Sequence, residues 1–333
     1  MPIAWNEISK NANGGTEQCA RMLECELGAE LDPFWIIPSR VRELDEEKFR
    51  VYWLHDLPWD HETKHLQDKW SRDRFQRLVF CSTWQRAMYQ GVLGVPMNEQ
   101  SLVIETPVEP IELDWSRKES HKTRLIYTST PQRGLDILVN VFVELAKKYP
   151  DIQLDVFSSF KIYGFDKADE QFEPIFKICR EHPQIIYHGS QPNEVVREYL
   201  QHSHILAYPS TWMECNSRSL IEAMSAGVHC VHSDLGGLPD TAGALTRMYP
   251  YYENKQTHAN IFYHTLEEAI LEVNTDPVIN ARRFIKAYAD ARFNKTRIMN
   301  QWRAALHNIR AEYGSPPKLP ADGDKILTFK VGQ

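Results

Sequence analysis

The chain is short of cysteine, of positive charge relative to negative, and of long apolar runs. No apolar stretch approaches the roughly 18 residues that a membrane span needs, and residues 1–15 carry neither a basic start nor the apolar centre of a secretion signal. A cytoplasmic location is therefore expected. The six cysteines, Cys19, Cys25, Cys81, Cys179, Cys215 and Cys230, are scattered without C-x-x-C or Cys/His ligand spacing. That argues against a disulfide framework and for free thiols in a reducing compartment. Lys and Arg number 38 against 45 Asp and Glu, a net charge of -7, so nothing draws the chain generally to nucleic acid or an anionic membrane. The rest, 42% hydrophobic and 25% charged over 333 residues, suits a soluble globular protein with room for two cores.

What is present centres on residues 205–240, ILAYPSTWMECNSRSLIEAMSAGVHCVHSDLGGLPD. Residues 205–208 have the pattern of a short buried strand, Pro209-Ser210 stops it, and an apolar helical run follows around Leu220. Asn216 or Ser217 can cap that helix, because a side-chain oxygen there accepts from the free N–H groups of the first turn. A loop feeding a helix N-terminus leaves unpaired N–H groups and a partial positive charge above the sheet edge, which makes an anion site. Glu214 stands in the loop and Glu222 about one and a half turns into the helix. A nucleotide sugar fits this layout. Glu222 would accept from ribose hydroxyls, Asn216, Ser217 and the backbone of Cys215 would face the diphosphate, and Glu214 would accept from sugar hydroxyls.

The remaining segments alternate. Strands are expected at residues 3–5, 34–38, 51–54, 78–81 and 103–104, with helices over 17–27 and from Ser82 towards Val92. A polar, proline-bounded stretch at 109–122 marks a domain boundary; beyond it strands at 125–127, 152–157 and 185–188 alternate with helices over 135–149, 173–180 and 193–202. This is the pattern of parallel sheets covered on both faces, one in residues 1–110 and one in 120–290. A helix over 295–313 carries Met299, Trp302, Leu306 and Ile309 as a packing stripe, and the tail, 315–333, is expected to be loosely held. Ligands bind outside strand carboxyl ends, where His55 and Asp56 fall, although His55 reads equally as a structural loop cap. Gly14-Gly15 lets a ligand approach backbone or is a plain flexible turn. Arg133, between strand and helix, offers a fork to a phosphate or forms a surface salt bridge. Lys69, Arg72, Arg74, Arg77 and Arg86, interleaved with Trp70, Phe75 and Trp84, suit an anionic acceptor or, diluted by Asp68 and Asp73, a solvated helix face.

Residues 214–240 resemble the E-x7-E signature of retaining glycosyltransferases with the GT-B fold, in particular glycosyltransferase family 4. The resemblance lies in Glu214 and Glu222, in Glu222-Ala223-Met224-Ser225-Ala226-Gly227 and in Gly236-Gly237-Leu238-Pro239-Asp240. It implies an α/β protein of two Rossmann-like, doubly wound parallel-sheet domains facing a cleft, the first for the acceptor and the second for the nucleotide-sugar donor, with the last helix returning to the first domain. It makes Gly14 and Gly15 the N-terminal glycine loop, puts Gly189 where the base needs room, and sets Gly236-Gly237 beside the phosphates. Residues 128–135, which include Ser129, resemble the pyrophosphate loop, whose usual form carries two basic residues five apart. Here the later one is Arg133, the earlier is Thr128, and Lys161 on the next loop is the candidate to supply the missing cation. The implied reaction moves a sugar with retention from a UDP- or GDP-sugar to a hydroxyl of a glycan, lipid-linked glycan, protein or modified nucleic acid. No metal and no cofactor beyond the donor is implied. Arg133 and Lys161 would stabilise the departing diphosphate, and Glu214 and His55 would stand at the reacting end. The alternatives are a catalytically weak or inactive nucleotide-sugar-binding partner of a glycosylation complex, and hydrolysis or phosphorolysis by the same fold.

Overall fold

The computed structural model describes residues 2–5, 8–10, 12–118 and 120–320. Asn11 of the glycine-rich turn and the tail beyond residue 320 lie outside the described residues. The first half contains α1 (Gly15–Leu27), β1 (Phe34–Pro38), β2 (Phe49–Leu54), a short α2 (Lys69–Arg72), β3 (Arg77–Phe80), α3 (Thr83–Leu93) and β4 (Ser101–Val103). Its strands pair in parallel in the order β1-β2-β3-β4. Every residue of β2 and β3 is buried, as a parallel sheet between two layers requires. The strand expected at 3–5 is only a bridge from Ile3 to Ile36, because the chain already turns at Trp5.

The second half contains β5 (Thr123–Thr128), α4 (Leu135–Lys148), β6 (Ile152–Phe157), α5 (Glu173–Glu181), β7 (Ile185–Tyr187), α6 (Asn193–His202), β8 (Ile205–Tyr208), α7 (Arg218–Ser225), β9 (His229–Ser233), α8 (Leu238–Ala242), β10 (Arg247–Tyr249), α9 (Lys255–Glu272), α10 (Asp276–Arg292) and α11 (Lys295–Tyr313). Six parallel strands run in the order β10-β9-β8-β5-β6-β7. The winding reverses between β5 and β8, and a doubly wound sheet opens a crevice at the carboxyl ends of the strands at such a point. The loops that leave β5 and β8 there are residues 129–134 and 209–217. The molecule thus has two parallel-sheet α/β domains in the GT-B arrangement.

Each sheet has its own core. Ile298, Met299, Trp302, Leu306 and Ile309 of α11 are buried in the core of the first sheet, and Trp302 meets Trp53 edge-on at 4.8 Å between ring centroids. The chain crosses between domains at Val108, whose N–H donates to the Phe293 carbonyl (2.9 Å) and whose carbonyl accepts from the Lys295 N–H (3.0 Å). At the start of the tail the Pro317 carbonyl accepts from Nη2 of buried Arg50 (2.7 Å), since a buried guanidinium needs partners for its N–H groups. Among the described residues no helix is long and apolar enough to cross a membrane.

Candidate functional site

A cavity of about 710 Å³ lies between the domains, lined by strand-end loops of both. Glu214, which lines it and is 7% exposed, accepts through Oε1 from Arg133 Nη1 (2.8 Å) and from the Tyr208 hydroxyl (2.5 Å). Burial opposes the charge on Arg133, but the Glu214 carboxylate beside it and the phenols of Tyr208, Tyr163 and Tyr127 together outweigh this, and its pKa is raised. Burial, then the same carboxylate, raises the pKa of Tyr208, so the phenol stays a donor. The Glu214 loop is braced from behind. Gly237 N–H donates to the Glu214 carbonyl (2.7 Å), and a Cβ on Gly237 would lie 2.5 Å from the Cys215 carbonyl oxygen. Gly236-Gly237 therefore supports the loop and is absent from the cavity wall, contrary to the expectation that it lies beside the phosphates.

Glu222 lines the same cavity from inside α7. Its Oε1 accepts from Arg218 Nη2 (3.0 Å), and both oxygens lie 3.3 Å from Asn193 Nδ2. Of the two capping candidates Ser217 caps α7, accepting from Leu220 N–H (3.5 Å). Asn216 instead ties the domains together, accepting from Thr106 N–H (3.1 Å) and donating to Thr241 Oγ1 (3.0 Å). The Cys215 carbonyl accepts from Ser82 Oγ (2.6 Å), and burial pushes its thiol up, which keeps the sulfur protonated and unreactive. Ser129, Thr130 and Gly189 also line the wall. His188 is not part of this wall: it stacks on Phe157 (4.2 Å, 5°) with Nε2 2.8 Å from Asp155 Oδ1.

Lys161 is a correction. Residues Phe160–Tyr163 form a 3-10 turn that brings Phe160, Ile162 and Tyr163 to the cleft and sends Lys161 into a neighbouring cavity with Asp169, Glu173 and Arg180. Besides Arg133, the cleft is lined by the cations Arg40 and Arg218, and Arg218 pairs with Glu222 at an i,i+4 spacing that is the available sequence signal. Its Nη1 donates to the Pro107 carbonyl (3.0 Å), while its Nε is buried without a partner. Arg133 Nε, Thr128 Oγ1 and Thr130 Oγ1 are likewise buried and unpartnered around the same cavity. Gln132 Oε1, an acceptor, is unpartnered on the same lining, and unmade hydrogen bonds of buried groups gathered at one cavity call for an explanation such as a polar ligand.

From the first domain, Asn13 N–H donates to the Ile162 carbonyl (2.7 Å), so the glycine loop bridges to the second domain. A Cβ on Gly14 would meet the Tyr163 ring at 2.3 Å, whereas one on Gly15 meets nothing within 4 Å. His55 lines the cavity with Nδ1 3.4 Å from Cys81 Sγ and Nε2 buried without a partner; burial lowers its pKa to about 3, so it is neutral. Asp56 accepts from the Ser39 hydroxyl, and burial raises its pKa against that bond. Ser39 itself has φ 73, a strained conformation for a residue with a Cβ.

Two other motifs do not form sites. The basic segment is used internally: Arg72 donates to the Leu66 and Gln67 carbonyls (both 2.7 Å), Arg74 to Ser71, and Arg77 pairs with Glu312 of α11. The H-E-x-x-H string His61 to His65 is a turn running into a 3-10 helix (Lys64–Gln67). There Glu62 is held by Arg42 and His65 Nδ1 by Ser71 Oγ (2.5 Å). Among the described residues no group of three or more His, Cys, Asp or Glu is placed to hold a metal ion. Asp322-Gly323-Asp324 lies outside the described residues.

The family described as "Glycosyl transferases group 1" matches residues 118–288, which is more than half of the chain and contains Arg133, Glu214 and Glu222. The chain belongs to this family. One subunit of the human phosphatidylinositol N-acetylglucosaminyltransferase is 28% identical to this group 1 chain over 157 residues, 45% of the chain and 30% of the relative. The pneumococcal O-GlcNAc transferase GtfA, solved with UDP and GlcNAc, superposes with a TM-score of 0.63 at 15% identity, covering 83% of this chain and 56% of that one. Anabaena HepE, solved with UDP and glucose, gives 0.60 at 16%, over 90% and 85%. At these identities the two solved structures establish the fold. The chain spans about a third of the length of the human relative and just over half of that of the pneumococcal enzyme.

Proposed function

We propose that the chain is a glycosyltransferase that moves a sugar with retention from a UDP- or GDP-sugar to an acceptor hydroxyl, without a metal. The observation that carries this reading is the pair of buried carboxylates flanking the N-terminus of α7: Glu214, held by Arg133 and Tyr208, at one end and Glu222 at the other. Glu222 takes the ribose hydroxyls, the first N–H groups of α7 face the diphosphate, and Glu214 takes the hydroxyls of the sugar. Arg133 and Arg218 offset the diphosphate charge in place of a metal ion. The bond from the anomeric carbon to the phosphate oxygen breaks, a bond to the acceptor oxygen forms on the same face, and the acceptor proton passes to the leaving phosphate. That two solved neighbours were crystallised with UDP supports testing uridine donors first.

The test is incubation of the purified protein with UDP-, GDP- and ADP-sugars without acceptor or metal, following thermal stabilisation and slow release of free nucleotide. Stabilisation plus release by one donor is the expected result. Glu222→Ala is expected to lose the stabilisation, and Glu214→Ala to lower release on the order of 100-fold. Wild-type behaviour in both variants would sink the assignment. The second reading, a nucleotide-sugar-binding partner of a glycosylation complex, is favoured by Thr128 standing where the usual loop is basic, and it predicts stabilisation without release.

A further inference from the structure

Two of the nine tryptophans are exposed, Trp59 at 45% and Trp212 at 47%. Both line the interdomain cavity, and they approach it from opposite domains. Trp59 stands on the loop after β2, and Trp212 on the loop after β8, two residues before Glu214. Exposed Met213 and Phe165 line the same cavity. Scattered exposed apolar side chains need no explanation, but four around one cavity that also holds Glu214 mark a binding surface. Asp56 and Asp60 stand on the loop that carries Trp59 and line the cavity with it.

We propose that this rim is the acceptor subsite and that the acceptor is a glycan, its sugar rings packed by their C–H faces on Trp59 and Trp212 while their hydroxyls donate to Asp56 and Asp60. The proposal rests on the transferase reading and names its acceptor class. A sugar ring has one apolar face and a girdle of hydroxyls, so flat aromatic surfaces beside a few placed acceptors fit it. Charge argues against a lipid surface as the occupant: an anionic membrane calls for clustered Lys and Arg, whereas the cavity lining beside Trp59 carries Asp56 and Asp60 against the single Arg40. The donor base is not the occupant either, since Trp212 stands next to Glu214, at the sugar end of the donor, with Glu222 at the other.

The experiment applies the full chain, with UDP present, to an array of immobilised oligosaccharides, alongside UDP thermal shifts and sedimentation with phosphatidylcholine and phosphatidylserine vesicles. The wild type is expected to retain a subset of glycans. Trp59→Ala and Trp212→Ala should each lose at least tenfold of that binding, with Trp59→Phe and Trp212→Phe keeping most of it, and all four should be stabilised by UDP as the wild type is. Four results would overturn the proposal: a silent array for a wild type that UDP stabilises, equal glycan binding by the alanine variants, loss of UDP stabilisation in them, or vesicle binding that the alanine variants abolish. A wild type that GDP stabilises in place of UDP is taken through the same array with GDP, and one that neither nucleotide stabilises removes the donor reading, and the acceptor subsite with it.

Discussion

At the scale of residues the site rests on one shared oxygen. Glu214 Oε1 takes both the Arg133 and the Tyr208 bonds, so Arg133→Ala leaves a buried carboxylate with a phenol alone. Breaking a buried pair from one side typically costs about 3–5 kcal/mol, so this variant is expected to melt earlier and to release nucleotide on the order of 100-fold more slowly. Arg133→Lys should recover stability before activity, because an ammonium cannot reproduce the planar fork. Calorimetry and nucleotide release measured together check both statements. Five histidines give a second prediction. Burial lowers the pKa of His55 to about 3 and, as the largest cause in each, those of His65, His204, His229 and His232 to about 4, from an ordinary 6.5. Below pH 6.5 the unfolded chain binds protons that the folded one refuses. Stability is therefore flat in these groups above pH 6.5 and falls as the pH drops towards 4, by up to about 1.4 kcal/mol per unit for each histidine. A melting temperature at pH 5 equal to that at pH 7.5 would contradict it.

At the scale of elements, glycines fix how the loops meet. Gly134 has φ 102, and a Cβ there would lie 2.1 Å from the Pro209 carbonyl oxygen, so the loops after β5 and β8 touch only because that side chain is missing. Gly237→Ala is expected to push the Glu214 loop forward and to lower nucleotide release without changing the far-ultraviolet dichroism. Gly15→Ala, which points into open space, is the matched control. Much of this level is readable in the sequence. Residues Ile152–Phe157, Asn193–His202, Ile205–Tyr208 and Lys295–Tyr313 fall where the sequence pattern places them: the two short apolar strands are buried almost throughout, and the last helix buries the stripe that its period names. Lys161 is not readable, since which way a residue of a four-residue 3-10 turn faces depends on the partner that the turn packs against. Trp212 escapes notice for a related reason: a single aromatic in a loop has no period, and its meaning comes from Trp59 across the cleft.

At the scale of the whole molecule, α11 makes two sheets into one machine. Its apolar stripe completes the core of the first domain, while its N-terminus continues from α10 of the second. Trp302→Ala should cost about 3–5 kcal/mol and unfold the first domain ahead of the second, visible as a new early transition on heating. Trp84 N–H to Asp240 (2.9 Å) and Arg292 to Glu105 (2.5 Å) hold the domains together towards the crossing point, and Asn13 to Ile162 (2.7 Å) bridges them beside Gly14. The cleft between these contacts is where the account stands or falls. The most direct measurement is calorimetric titration of UDP and GDP, with a chelator present, into the wild type, Arg133→Ala and Glu222→Ala. The account predicts that the wild type binds one of the two nucleotides and that each variant binds it at least tenfold more weakly. Equal binding by all three proteins, or no binding of either nucleotide by the wild type, would contradict it.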